Sequence, residues 1–186
     1  MSDFEKALVR VRQGWLQGYT EQDLKIFKGI PYAAPPVGAL RFCRPQEPAS
    51  WRGIRRAAQY SAAAIQHVMD LPDLPANTHG VPQALAPSQY EEDCLYLNIW
   101  TPAKAPSDRL PVFLWVHGGG MAAGSGCEIV CDGTGFAGRR DVIVVTINYR
   151  LNLFGFFAHP ELTEEGGGSC GNYALFDMRQ ACRWVK

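Results

Sequence analysis

A chain of 186 residues that is 47% hydrophobic and 19% charged has the material for a packed core, which excludes a disordered polymer. Eighteen basic residues balance eighteen acidic ones and no run of like charge stands out, so composition gives no reason to expect nucleic acid or an anionic membrane as a partner. No stretch reaches the ~20 apolar residues of a membrane span, and the charged opening "MSDFEKALVRVRQGWLQGY" lacks the apolar run of a signal peptide, which predicts a cytoplasmic protein.

In chain order, "ALVRVRQGWLQGY" alternates apolar and polar residues around Gly14 and predicts a short hairpin or meander. "FKGIPYAAPPVGALRF" follows; its prolines exclude a helix and suit a rigid, extended surface loop. Arg55 to Met69 is alanine-rich and helical by propensity, but has no tidy apolar face, so its state stays open. Residues 70 to 90 carry prolines throughout and read as a long irregular loop.

The second half changes character. "YLNIW" (Tyr96 to Trp100) is rich in strand formers, and "PVFLWVHGGG" places the apolar run Val112 to Val116 directly before a glycine triplet. "DVIVVTINYR" repeats such a run at Val142 to Ile147. Unbroken apolar strands belong in a parallel sheet covered on both faces, and residues 117–141 leave room for a helical crossover between them. "NYALFDMRQACRWVK" then sets Leu175, Met178, Cys182 and Val185 at helical spacing, which predicts a helix packing that side on the sheet. No stop signal follows it, so the helix reads as cut and the fold as incomplete.

Two short motifs compete for the chemistry. "GGSCG" (167–171) spells G-x-S-x-G with Ser169 in the nucleophile's place, but such an elbow needs a buried strand before the serine. "HPELTEEGGG" is no strand, so Ser169 reads as a loop or capping residue. "HGGG" (His117 to Gly120) has the better context, because glycines at the end of a buried strand let backbone N–H groups reach an oxygen that becomes negative during acyl transfer. His117 itself reads as an orienting or packing histidine rather than a general base. The six cysteines, Cys43, Cys94, Cys127, Cys131, Cys170 and Cys182, show no C-x-x-C spacing, and neither a metal nor a cofactor is expected.

Taken together, "FKGIPYAAPPVGALRF", "YEEDCLYLNIWTP", "PVFLWVHGGG", "VIVVTINYRLNLFGFFAHPEL" and "GNYALFDMRQACRWV" resemble, in this order, the N-terminal part of the type-B carboxylesterases, a family that includes the cholinesterases. The resemblance spans nearly the whole chain. It implies the N-terminal part of an α/β-hydrolase fold, with small antiparallel strands followed by a mostly parallel central sheet with crossover helices. Residues 1–186 then form a single incomplete domain, ending before the nucleophile elbow. It also implies hydrolysis of small-molecule carboxylic esters by a serine, an acidic residue and a histidine through an acyl-enzyme.

Residue by residue, the resemblance assigns Gly119 and Gly120 to the oxyanion hole, and pairs the buried charges Arg41 with Glu92 and Arg150 with Asp177. Cys94 matches the second cysteine of a family disulfide, but its partner position holds Ala64, which suits a reducing compartment. The loop that disulfide would close holds no tryptophan, so a choline-ester preference gains no support. The triad itself lies outside these residues, and the isolated chain is expected to be inactive, with apolar faces of "VFLWV", "VIVVTI" and the last helix open to water. Besides a truncated esterase, two alternatives stand: a non-catalytic binding protein on the same fold, and a subunit completed by a separately encoded C-terminal half.

Overall fold

In the computed structural model, which describes residues 6–66 and 89–186, the chain opens as an antiparallel meander of β1 (Lys6–Val11), β2 (Gly14–Glu21) and β3 (Leu24–Pro31). The β2–β3 turn is two residues long, and Gln22 and Asp23 both take left-handed φ (48° and 65°), the backbone twist that matches paired strands. β4 (Ile54–Arg56) adds in parallel to β2, while β5 (Ala63–Ala64) and β6 (Tyr90–Glu91) form a separate parallel pair. The alanine-rich stretch left open from sequence therefore holds short strands and irregular chain, and no helix, where it is described; residues 67–69 and most of the loop expected at 70–90 lie outside the described residues.

The central strands are β7 (Tyr96–Thr101), β8 (Val112–Val116) and β9 (Ile143–Ile147), giving the order β1-β2-β3-β7-β9-β8 in a seven-stranded sheet with β4 attached to β2. β7 runs antiparallel to β3 and β9, and β8 pairs in parallel with β9. The helices are short, α1 (Thr134–Ala137), α2 (Asn152–Phe156) and α3 (Pro160–Glu165), until α4 (Tyr173–Val185). The crossover expected to be helical is mostly loop, since α1 holds only four residues.

Both faces are covered over the interior strands, whereas β8, expected to be covered on both faces, lies at the edge and is exposed. Leu16, Phe27, Ile30, Leu97, Val145 and Ile147 pack in one cluster with Ala174 and Ala181 of α4, while Leu24, Ile26, Trp100 and Val144 pack on the other side with Ala137 of α1. Alternate residues of β9 thus enter different clusters, which is why its run needs no polar face.

Three expectations need correction. The proline-bearing stretch after Phe27 is a surface loop only in its second half: β3 is an interior strand and Ile30, Tyr32 and Ala33 are buried, whereas Val37, Gly38 and Ala39 are exposed and Gly38–Leu40 forms a single 3-10 turn. α4 forms where expected, yet Leu175 and Cys182 are exposed; the helix buries Tyr173, Ala174, Asp177, Gln180 and Ala181, with Met178 and Val185 packed beside them. Small alanines let the helix axis lie close to the sheet, so side-chain size overrides hydrophobicity in choosing the face. "VIVVTI" is not open to water either, as Val144 to Ile147 are all buried.

Candidate active site

β8 stops at Val116, opposite Ile147, and the chain then leaves the ladder. Tyr149, just past the end of β9, catches it there: its hydroxyl donates to the His117 carbonyl at 2.7 Å, and its ring stacks on the imidazole at 4.3 Å and 15°. His117 Nδ1 lies 2.9 Å from the Gly118 carbonyl, which can only accept, so Nδ1 carries the proton. Nε2 is buried without a partner, and burial pushes the imidazole pKa below its ordinary value. A neutral, stacked histidine of this kind is a packing element, as its place at the strand end predicts.

The next residues bend sharply. Gly119, Gly120 and Met121 all have left-handed φ (112°, 61° and 63°), and a Cβ on Gly119 would sit 2.1 Å from the Ala123 carbonyl oxygen. No other residue type fits at Gly119 without moving backbone. Gly120 faces open space, so only its φ disfavours a side chain. Among the described residues neither the Gly119 nor the Gly120 N–H has a hydrogen-bond acceptor, and both glycines are exposed. Two adjacent unpaired amides held by a bent backbone can receive a developing negative charge without reorganising.

Behind this loop a buried polar cluster anchors the start of the crossover. Asn98 Nδ2 donates to the Gly126 carbonyl (3.2 Å) and to Thr146 Oγ1 (3.0 Å), Thr146 Oγ1 donates to the same carbonyl (2.8 Å), and the Gly126 N–H donates to Asn148 Oδ1 (2.8 Å). Sequence reasoning missed these side chains. Asn98, Thr146 and Asn148 interrupt runs of apolar strand residues, and that interruption was the available signal.

Ser169 sits elsewhere. It is exposed in the loop between α3 and α4, its Oγ accepts a bond from Arg44 Nη2 at 3.1 Å, and a helix rather than a strand precedes it. Of the two ion pairs that the resemblance implied, Arg150–Asp177 is buried and bidentate: Nε to Oδ2 is 2.8 Å, Nη2 to Oδ1 is 2.7 Å, and the Arg150 N–H adds a third bond at 3.1 Å. This pair ties the end of β9 to α4. Arg41–Glu92 also forms, at 2.5 and 2.7 Å, but its side chains are 43% and 20% exposed, so it is not the buried pair that the resemblance implied. Arg41's hydrogen bonds hold the Glu92 carboxyl below its usual range. Cys94 and Ala64 are both buried, and the Cys94 thiol is free. Among the described residues no group of three or more His, Cys, Asp or Glu side chains converges as metal ligands would, and no helix is long and apolar enough to cross a membrane.

Comparison with known proteins bears on this geometry. Residues 5–186 match the model of the carboxylesterase family. The chain is 40% identical over 186 residues to fumonisin B1 esterase of Sphingopyxis macrogoltabida, covering all of this chain and 32% of that protein. It is 37% identical to para-nitrobenzyl esterase of Bacillus subtilis strain 168, covering 96% and 34%. Among solved structures, a thermophilic PNB esterase superposes with a TM-score of 0.80 at 36% identity, and a carboxylesterase of Geobacillus stearothermophilus with 0.78 at 39%, each covering 96% of this chain and 34% of the other. The chain therefore spans about one third of the length of the relatives it matches.

Proposed function

Because this chain belongs to the carboxylesterase family and has the N-terminal part of an α/β-hydrolase fold, we propose that it supplies the oxyanion-binding portion of a carboxylic ester hydrolase acting on small-molecule esters. The observation that carries the reading is the pair of N–H groups at Gly119 and Gly120, which follow the end of β8 and have no acceptor among the described residues. In ester cleavage a nucleophilic oxygen adds to the carbonyl carbon and the C=O π pair moves onto the carbonyl oxygen. The two N–H groups stabilise that oxyanion. Its collapse expels the alkoxide, which leaves as the alcohol on taking a proton, and water repeats the addition to release the acid.

Among the described residues none is placed to start the attack. Ser169, the only serine in an elbow-like motif, is engaged by Arg44 in an exposed loop. The nucleophile, its histidine and its acid belong to chain beyond residue 186 or to another polypeptide, and residues 1–186 alone do not turn over esters. The free Cys94 thiol, with an alanine at the position where the resemblance puts its disulfide partner, supports a reducing, cytoplasmic setting.

The test joins residues 1–186 to the part of the Bacillus subtilis para-nitrobenzyl esterase that they do not cover. Para-nitrophenyl acetate is the substrate. The fusion is expected to turn over, and Gly119→Ala is expected to lower kcat by about 10² to 10³, the cost of losing an oxyanion donor. An active fusion unaffected by Gly119→Ala rejects the assignment.

A further inference from the structure

The loop that carries Gly119 and Gly120 has little of its own to hold it. Strand pairing ends at Val116, three successive residues have left-handed φ, and the bonds within the loop's backbone are those of the Ala122 and Ala123 N–H groups to the Gly119 carbonyl, both 3.1 Å. Besides the neighbouring His117 Nδ1 on the Gly118 carbonyl, two side chains from distant parts of the chain hold it. The Gln66 amide bonds the Gly124 backbone twice: the Gly124 N–H donates to Oε1 at 2.7 Å, and Nε2 donates to the Gly124 carbonyl at 2.9 Å. On the other side the Asn152 N–H donates to the Met121 carbonyl at 3.0 Å, and Nδ2 donates to the Ala122 carbonyl at 2.8 Å. Asn152 Nδ2 also reaches the Ile65 carbonyl at 3.4 Å, which closes a ring through the residue next to Gln66.

We propose that Gln66 and Asn152 are positioning residues, a pair of amide clamps that fix the 118–124 loop so that the Gly119 and Gly120 N–H groups point at one place. The inference rests on the reading of those N–H groups as oxyanion donors. The chemistry demands amides. Gln66 must donate and accept at once, which a carboxylate or an alkyl chain cannot do, and an asparagine there is one methylene too short to meet the same peptide group. Asn152 must donate from a residue whose own φ is 52°, a conformation that asparagine tolerates better than most side chains. Oxyanion donors act through placement, and a shift of about 1 Å in such a group costs on the order of 10² in rate. A clamp that removes this freedom therefore acts on the transition state rather than on substrate affinity.

The decisive measurement is amide exchange by NMR on residues 1–186, which needs no catalytic activity. Gln66→Leu is expected to raise exchange at Gly124 by about tenfold or more, the worth of one hydrogen bond, with β7 and β9 amides unchanged. Gln66→Glu keeps the acceptor and leaves the Gly124 N–H protected. Asn152→Gly preserves the backbone conformation, loses the side-chain bonds, and is expected to speed exchange at Ala122 and Ala123. Parent-like exchange at all three amides in Gln66→Leu and Asn152→Gly overturns the clamp.

In the esterase fusion the same variants are expected to lower kcat by about tenfold or more with KM changed less than about twofold. Faster exchange with unchanged kcat overturns the positioning role. Failure of the oxyanion reading shows separately, as an active fusion indifferent to Gly119→Ala.

Discussion

β8 and β9 are written in nearly the same alphabet, VFLWV and IVVTI, and lie side by side in parallel register, yet they have opposite fates. β9 sits between β7 and β8, and Val144 to Ile147 are at most 4% exposed. β8 is the edge, and Val112, Phe113, Trp115 and Val116 are 38 to 44% exposed. An apolar run records a demand for neighbours, and the topology decides how many it finds. The difference continues past the strand ends. Leaving β9, the chain enters Asn148, Tyr149 and Arg150, all buried and bonded to other elements. Leaving β8, it enters a glycine loop in which, among the described residues, the Gly119 and Gly120 N–H groups have no acceptor and whose shape depends on side chains from elsewhere. The interior strand fixes the frame, and the edge strand leads into the loop proposed to bind the oxyanion.

The strongest way to break this contrast is from the frame side. Asp177→Ala strands the Arg150 guanidinium, whose side chain is 3% exposed, and is expected to cost about 3–5 kcal/mol in denaturant unfolding. A cost under about 1 kcal/mol shows that the pair does not secure the end of β9.

Next come the register partners Val116 and Ile147. Ile147→Ala, fully buried, is expected to cost about 2–5 kcal/mol, and Val116→Ala, 38% exposed, less than about 1 kcal/mol. Equal costs contradict the edge assignment.

The smallest effect is the pH response of His117. Burial lowers its folded-state pKa, so the unfolded chain takes up the proton first as the pH falls. The stability linked to this group is fully present above the ordinary value of 6.5 and declines from there toward the folded value. His117→Phe is expected to remove that component of the slope, and an unchanged slope rejects it.

Much of the frame was legible in advance. The three central strands, the opening meander and the existence of α4 follow from periodicity and turn residues. Burial was harder to see. Prolines around Ile30 and Tyr32 masked an interior strand, and the scale that favours Leu175 and Cys182 has no term for how closely Ala174 and Ala181 let α4 approach the sheet. Asp177 is buried because Arg150, 27 positions earlier, neutralises it, and periodicity alone gives no hint of that partner. Of the proposed site, the glycines drew attention by their place after a strand. Gln66 did not, since its bonds to Gly124 span 58 positions and a lone glutamine carries no pattern.

The central claim is that residues 1–186 provide donors for an oxyanion and nothing that creates one. Incubation of the isolated chain with a fluorophosphonate, followed by intact mass analysis, tests it most directly. The account predicts no stoichiometric adduct at any hydroxyl, Ser169 included. A saturable adduct of one label per chain, lost in Ser169→Ala, would contradict it.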